Sequence, residues 1–199
     1  MGLSLHVVHA SPILLSTPRL TLRRLQRGDE GSLVAYRSLP EVARLQSWED
    51  FSWEDATRLV AEQCDRQPGV PGTWLQLAVV DRSTQKLIGD VGLHFGANEA
   101  QQTELGVTFA PNWQKQGFAT EALRCVLDFL FIVMEQHRVF AVMGAENLAA
   151  ASLFGRLGFR QEGHFIEHRW FKGGWDSELL FAMLRREWAV IQGAKIGTA

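Results

Sequence analysis

The stretch best suited to chemistry is the turn from Gln114 to Thr120, which follows a predicted strand and opens a predicted helix. Gly117 has no Cβ and tolerates positive φ, so the backbone at this point can approach a ligand closely. The first amides of a helix have no partner within the helix, and the helix dipole adds partial positive charge there. The turn therefore predicts a site for a diphosphate group, although an ordinary strand-to-helix connection containing one glycine gives the same pattern.

Two elements must hold this turn in place: a strand that begins at Thr103 and reaches about Phe109, and a helix that begins near Phe118. Apolar residues recur three or four positions apart along that helix, at Ala119, Ala122, Leu123, Val126, Leu127 and Leu130. This spacing places one apolar face on a helix, which is the face that packs against a sheet.

The remaining elements follow from alternation, caps and turn residues. Strands are predicted at 17–23, 74–80, 86–95, 138–144, 159–170 and 176–183, and helices at 29–36, 52–63, 148–157 and 184–191. Asp29 and Ser52 are suitable N-caps, and Gly158 is suited to end a helix. The order predicts an α/β (α+β) protein with one mixed sheet and a strand–helix–strand crossover in its second half.

Length and charge set limits on the function. The 199 residues predict one domain at 17–192, preceded by a flexible lead-in (1–16) and followed by a flexible tail (193–199). The formal net charge is -2, which gives no electrostatic reason to expect a nucleic-acid partner. No apolar run is long enough to span a bilayer, and no secretion signal is evident, so we expect a cytoplasmic protein without a membrane partner.

The cysteines and paired histidines do not indicate a metal site. Cys64 and Cys125 are far apart in the sequence, so two separate thiols are expected rather than a disulfide or a metal pair. His164 and His168 are four residues apart, which suits a metal on a helix, but the stretch reads as a strand and no third ligand is evident.

Four motifs resemble the GNAT superfamily of N-acetyltransferases, and they lie along the chain in the order expected for that superfamily. Gln114-x-x-Gly117-x-Ala119 matches the superfamily pattern Gln/Arg-x-x-Gly-x-Gly/Ala. A second motif of the superfamily is matched by Asn147-x-x-Ala150-x-x-Leu153-Phe154-x-x-Leu157-Gly158-Phe159. Thr17-Pro18-Arg19-Leu20-Thr21-Leu22-Arg23 and Gly174-Trp175-Asp176-Ser177 with Leu179-Leu180-Phe181 resemble the opening and the closing hairpin of the ribosomal-protein N-terminal (alanine/serine) acetyltransferase branch. The resemblance covers about residues 17–185.

This resemblance implies a GNAT-type fold, with a mostly antiparallel sheet of about seven strands and helices on both faces. It implies transfer of the acetyl group of acetyl-CoA, as co-substrate, to a primary amine by direct attack in a ternary complex, without a metal. The acceptor is expected to be a small-molecule amine or a protein N-terminus, and the protein a monomer or homodimer. The alternative is a catalytically weak module that binds or senses acyl-CoA.

The resemblance also assigns residues to the coenzyme. The backbone amides of the turn are expected to hold the diphosphate, assisted by two side chains, while the strand pairs with the pantetheine arm and one asparagine hydrogen-bonds it. The diphosphate residues are Gln116, Gly117, Phe118, Ala119 and Thr120, with Gln114 and Lys115 assisting through their side chains. The pantetheine residues are Val107, Thr108 and Phe109 on the strand, and Asn147, which is equally suited to capping a helix. Phe154 is also assigned to the coenzyme site.

The catalytic assignments are less complete. Glu104 stands where an acid is often found in this branch, so it is the expected general base, directly or through a water, unless it is a strand residue facing solvent. Phe154 occupies the position where many members have a tyrosine that protonates the leaving thiolate, which leaves Ser152, water or direct thiolate release. Trp48 and Trp53 flank a region that lines the acceptor cleft in the superfamily, where an aromatic wall can hold a cationic amine.

Overall fold

The computed structural model describes residues 14–97 and 101–196, which divide into two compact units. The first unit contains the described chain up to Pro68, together with Leu75–Gly92 and Val107–Val126. The second unit contains Gly69–Trp74, Leu93–Gly106 and the described chain from Leu127 onward. The long helix and three of the strands therefore each contribute to both units.

The described residues contain eight strands and six α-helices. The strands are β1 (Leu14–Ser16), β2 (Leu20–Arg24), β3 (Thr73–Asp81), β4 (Leu87–Phe95), β5 (Gln102–Phe109), β6 (Arg138–Gly144), β7 (Arg160–Phe171) and β8 (Gly174–Leu184). The helices are α1 (Glu30–Arg37), α2 (Pro40–Ala43), α3 (Trp53–Gln63), α4 (Phe118–Asp128), α5 (Leu148–Leu157) and α6 (Arg185–Ile196). A 3₁₀ turn (Pro111–Trp113) precedes α4, and a π-helical turn (Phe129–Val133) continues it.

The strands form one sheet in the order β1-β2-β3-β4-β5-β6-β8-β7. β1/β2, β2/β3, β6/β8 and β7/β8 are antiparallel, whereas β5 and β6 run parallel with Glu104 opposite Phe140. A parallel pair requires a crossover connection, and α4 lies in that connection. The predicted α/β fold with a mostly antiparallel sheet and one crossover is confirmed, with eight strands in place of about seven.

The strand not expected from the sequence is β1, in what was predicted to be a flexible lead-in. Leu15 lies opposite Leu22 of β2 and is buried, so pairing with a neighbouring strand orders a segment too short to be recognised alone. At the other end, α6 continues to Ile196, beyond the predicted start of the tail at 193. Residues 1–13 of the predicted lead-in and 197–199 of the predicted tail lie outside the described residues.

The helix termini test the capping predictions directly. The Ser52 hydroxyl accepts a hydrogen bond from the Asp55 amide, and the Ser52 amide donates one to the Asp55 carboxylate, which forms a complete capping box at the start of α3. Gly158 ends α5 with φ of +96°, as predicted. Asp29 takes the N-cap position of α1, but its carboxylate does not cap the helix, because it binds Arg23 at 2.7 Å instead.

The cores follow the periodicity of the elements. In the first unit, α1 and α3 pack on β3 through a cluster of buried residues: Leu25, Leu33, Tyr36, Phe51, Ala56, Val60, Ala78 and Val80. In the second unit, alternate residues of β6 are buried and the others are partly exposed. No helix in the described parts of the chain combines the length and apolar character needed to span a bilayer.

Candidate active site

The turn before α4 has the backbone geometry that the sequence predicted. Gly117 has φ of +82°, a left-handed conformation that favours glycine, and Lys115 has φ of +59°. The first hydrogen bond of α4 runs from the Glu121 amide to the Gly117 carbonyl at 3.0 Å. The amides of residues 118–120 therefore precede the helical ladder and are donors for a ligand at the helix start.

Two glutamine side chains of the turn are hydrogen-bonded to nearby backbone carbonyls, which leaves the backbone amides as the main donors for a ligand. The Gln114 Nε2 group donates to the Phe109 carbonyl at 2.9 Å, and the Gln116 Nε2 group donates to the Asn112 carbonyl at 2.7 Å. Both glutamines thus brace the turn, while Lys115 is exposed. The ring of Phe118 is buried, so only its amide is suited to contact a ligand.

An arginine that sequence reasoning did not assign to the site lies against this turn. The Arg19 Nη1 group donates to the Gln116 carbonyl at 3.2 Å, and its guanidinium carbon lies 4.2 Å from the centre of the Phe118 ring. Its Nε group donates to Glu121 in the first part of α4 at 2.6 Å. The signal available in the sequence was the opening motif, which was used for family resemblance but not given a role.

The end of β5 is closely packed. Thr108 and Phe109 are buried, whereas Val107 is partly exposed. A Cβ added at Gly89 of β4 would lie 2.5 Å from the Thr108 carbonyl oxygen and 2.9 Å from the Phe109 ring. The glycine at position 89 is therefore required for β4 to approach this part of β5, which carries three of the predicted coenzyme residues.

In the second unit, Glu104 belongs to a polar and aromatic group. Its Oε2 atom lies 3.8 Å from Nδ1 of His94, and the Glu104 side chain is 28% exposed. The His94 ring stacks on Trp74, with centroids 5.0 Å apart and planes 23° apart. The Trp74 ring lies over β5, 3.7 Å from where a Cβ at Gly106 would stand, which is an ordinary van der Waals distance. His94 and Trp74 were not assigned to the site from the sequence, and they reach Glu104 only through strand pairing.

Helix α5 carries three predicted residues in different environments. The Asn147 Oδ1 atom accepts from the Ala150 amide at 3.1 Å, so the asparagine caps α5 and its Nδ2 group is the donor end of the amide. Ser152 is exposed and accepts a hydrogen bond from Arg156 one turn later. Phe154 is 2% exposed and packs edge-to-face on Phe159, with ring centroids 5.1 Å apart.

Trp48 and Trp53, the two tryptophans predicted to line the acceptor cleft, lie in different surroundings. Trp48 lies over the Arg37 guanidinium, 4.5 Å from it, and donates through Nε1 to the Arg37 carbonyl at 3.0 Å. Trp53 is 60% exposed, and its ring lies 3.6 Å from the position of a Cβ at Gly31. Trp48 is therefore part of a packed structural group, whereas Trp53 presents an aromatic surface to solvent.

The group that Trp48 covers is a buried ion pair. Arg37 donates to both oxygens of Asp90, at 2.9 and 3.0 Å, and Asp90 is fully buried. The Gln76 Nε2 group donates to the same carboxylate at 2.6 Å, and the Tyr36 hydroxyl also binds it. Burial and the neighbouring Asp90 carboxylate raise the pKa of Tyr36 well above its ordinary value, so the phenol stays protonated and donates.

Of the two histidines of β7, His168 contacts a carboxylate. His168 Nε2 lies 2.7 Å from the buried Glu178 carboxylate, which also binds Arg169 at 3.0 Å. Within residues 14–97 and 101–196, no three His, Cys, Asp or Glu side chains are grouped so that they could hold a metal ion. A cavity of about 460 Å³ in the second unit is lined by residues such as His137 and Arg185, and none of the predicted site residues borders it.

The chain thus has a mostly antiparallel sheet with one parallel crossover, and a glycine turn opens the crossover helix. The family model described as an acetyltransferase (GNAT) domain matches residues 19–160. The chain therefore belongs to the GNAT acetyltransferase family, and the resemblance based on the four motifs is confirmed.

Two relatives match most of the chain, and a third matches less than half of it. The uncharacterized N-acetyltransferase p20 of Bacillus licheniformis is 27% identical over 175 residues, 88% of this chain and 98% of that protein. The spermidine N(1)-acetyltransferase of Vibrio cholerae is 27% identical over 163 residues, 78% of this chain and 87% of that protein. The ribosomal protein uS5-alanine N-acetyltransferase of Escherichia coli is 29% identical over 84 residues, 42% of this chain and 43% of that protein.

The fold is also found in a crystal structure of the spermidine N-acetyltransferase from Vibrio cholerae in complex with CoA and spermine. The two share a TM-score of 0.74 and 24% identity, over 87% of this chain and 99% of that one. At this identity the likeness establishes the common fold.

Proposed function

We propose that the protein transfers the acetyl group of acetyl-CoA to a primary amine by direct attack in a ternary complex. The observation that carries the proposal is the turn at Gly117, whose left-handed backbone precedes three helix-start amides within the segment matched by the GNAT domain. Such a turn is suited to the diphosphate of coenzyme A. No covalent intermediate with the enzyme is needed, because the amine itself is the nucleophile.

We propose that backbone amides supply most of the hydrogen bonds to the coenzyme diphosphate. The amides from Gln116 to Thr120 hold the diphosphate, with Gln114 and Lys115 at its edge. Val107, Thr108 and Phe109 pair with the pantetheine arm, since the resemblance predicts an added strand at this point of β5. The Nδ2 group of Asn147 donates to the pantetheine, because its Oδ1 atom is already used to cap α5. Phe154, which is buried against Phe159, is proposed as a further coenzyme-site residue, and its hydrocarbon ring can offer only an apolar contact.

Glu104 is the proposed general base. An alkylamine with a pKa near 10 is protonated at neutral pH and must lose a proton before its lone pair can attack the thioester. The Glu104 carboxylate is partly exposed, so it can receive that proton directly or through a water. His94 lies 3.8 Å from it, a distance that one bridging water spans, and can pass the proton on to solvent.

Release of the thiolate is proposed to occur without a phenol. Phe154 has no hydroxyl, and Ser152, the remaining candidate acid, already accepts a hydrogen bond from Arg156. A serine hydroxyl held this way still has its own proton to donate. Ser152, water or direct release of the thiolate therefore complete the reaction.

The acceptor is proposed to be a small-molecule amine or a protein N-terminus. The names of the relatives support both, since one acts on spermidine and another on the alanine of a ribosomal protein. The exposed ring of Trp53 supports a cationic acceptor, because an ammonium group is attracted to an aromatic face. Trp48 contributes by holding the neighbouring loop on Arg37.

The experiment is a thiol-release assay with acetyl-CoA and a panel of amines that contains polyamines, amino acids, aminoglycosides and peptides. Release of coenzyme A thiol that depends on one class of amine identifies the acceptor. The alternative function, a weakly catalytic acyl-CoA sensor, is favoured by the phenylalanine at position 154. Tight binding of acetyl-CoA without thiol release from any amine would support the sensor and overturn the transferase.

A further inference from the structure

The Arg19 side chain lies against the turn that precedes α4. Arg19 precedes β2, and its side chain is 45% exposed. Its Nη2 atom lies 3.4 Å from where a Cβ at residue 117 would stand. The space that the glycine leaves open beside the turn is therefore bordered by a guanidinium group.

Glu121 holds this guanidinium in one orientation, and Thr17 in turn holds the Glu121 carboxylate. The Oε2 atom of Glu121 accepts from Nε at 2.6 Å, and its Oε1 atom accepts from the Arg19 amide at 3.0 Å and from the Thr17 hydroxyl at 2.5 Å. Burial would raise the pKa of Glu121, but the hydrogen bonds from Thr17 and Arg19 outweigh it and hold that pKa below its ordinary value. The carboxylate is thus charged at neutral pH and anchors the Nε edge.

The other edge of the guanidinium has donors to spare. Arginine carries five N–H groups in a fixed fork. In the described part of the chain, one binds Glu121 and one binds the Gln116 carbonyl, so three remain, including both on Nη2. The ring of Phe118 supports the flat face of the group at 4.2 Å, which limits its movement away from the turn.

We propose that Arg19 is a direct ligand of the coenzyme diphosphate, adding a charged donor pair to the backbone amides of the Gly117 turn. The fork of an arginine matches phosphate oxygens, and a guanidinium that is already oriented loses little freedom on binding. Thr17 and Glu121 are its positioning residues. This inference rests on the proposed function, because it assumes that coenzyme A binds at the turn.

The test compares ligands that differ in their phosphates. Dissociation constants for coenzyme A and for dephospho-coenzyme A, which lacks only the 3′-phosphate, are measured by calorimetry. The kcat/KM value is measured with acetyl-pantetheine, which lacks every phosphate of the coenzyme. Arg19→Met is compared with the parent and with Arg27→Met, which removes the same charge from an exposed arginine.

We expect Arg19→Met to weaken both coenzymes by about 10- to 100-fold and to leave acetyl-pantetheine kinetics unchanged. Arg27→Met should behave as the parent does. Where Arg19→Met fails to fold, Arg19→Gln is used, with the same expected direction because it also lacks the charged fork.

Three results would overturn the inference while leaving the proposed function intact. These are unchanged affinity for coenzyme A, equal losses with coenzyme A and acetyl-pantetheine, and a loss with coenzyme A but not with dephospho-coenzyme A. The last would place Arg19 on the 3′-phosphate instead. A parent protein that binds no coenzyme at all would overturn the proposed function, and the inference with it.

Discussion

Glu104 and His94 lie side by side in the second unit, with Oε2 of the glutamate 3.8 Å from Nδ1 of the histidine. If Glu104 accepts the proton of the amine, Glu104→Gln should lower turnover, and most strongly below neutral pH. At low pH the amine is almost entirely protonated, so the reaction depends most on a base there. The measurement is the pH–rate profile of kcat/KM for parent and variant.

His94→Gln is the matched control for this prediction. It should lower the rate less than Glu104→Gln if His94 only carries the proton away. A Glu104→Gln profile that overlays the parent profile would exclude Glu104 as the base, and a larger loss in the histidine variant would transfer that role to His94.

A side chain at position 117 should impair coenzyme binding. Gly117→Val is expected to reduce the affinity for coenzyme A by at least about tenfold, because its branched side chain fills the approach to the turn amides and strains a φ of +82°. Gly28→Val is the control, since Gly28 has φ of +100° and no atom within 4 Å of its Cβ position. It imposes similar strain without covering the turn. Calorimetric affinities that are equal for Gly117→Val and the parent would remove the diphosphate from this site.

The two roles of Asn147 can be separated by substitution. Asn147→Asp keeps an oxygen that can cap α5, but its ionised carboxylate has no hydrogen to donate. We expect its free energy of unfolding to change by less than about 0.5 kcal/mol, while its affinity for coenzyme A falls about tenfold. Asn147→Ala should lose the affinity and also about 1 kcal/mol of stability. Unchanged affinity in Asn147→Asp would leave the residue with the cap alone.

The buried pair of Arg37 and Asp90 should dominate the stability of the first unit. Asp90→Asn removes the only charge that balances a buried guanidinium within the described contacts, and should cost about 3–5 kcal/mol. Urea denaturation of Asp90→Asn and of the exposed control Asp65→Asn measures this cost. The control should stay within about 0.5 kcal/mol of the parent. A loss in Asp90→Asn as small as in the control would contradict the prediction.

Glu121 should contribute stability that depends on pH. Because its pKa is lower in the folded protein than in the unfolded chain, its contribution is complete above the unfolded value near 4.5 and is lost as the pH falls through the folded value. The difference in unfolding free energy between parent and Glu121→Gln should therefore be larger at pH 7 than at pH 3. A difference that is the same at both values would show that the carboxylate charge contributes nothing.

Local chemistry made much of the fold predictable. Helix α5 and strand β6 have the bounds that the sequence predicted. The bounds of α5 follow from its N-cap and its terminating glycine, and those of β6 follow from a short apolar run. The left-handed turn at Gly117 was also predicted from local sequence. Helix α2 and the π-helical turn after α4 were not, because neither has a distinctive signal of its own.

For the candidate site, the sequence predicted the coenzyme turn and the asparagine from motifs with their own spacing, and it predicted the role of Glu104 from the family resemblance. It did not identify their partners. Arg19 and Glu121 are 102 positions apart, and His94 is placed beside Glu104 only by the neighbouring strands.

The sequence by itself thus determined the left-handed turn at Gly117 and the cap of α5, and it predicted which residues carry the chemistry, since all of these depend on neighbours along the chain. The tertiary structure decided which charges and rings stand beside them: the arginine at the turn, the histidine at the proposed base, and the ion pair beneath Trp48. Such contacts depend on strand order and packing, and these are set by the burial of the whole apolar surface rather than by any one segment.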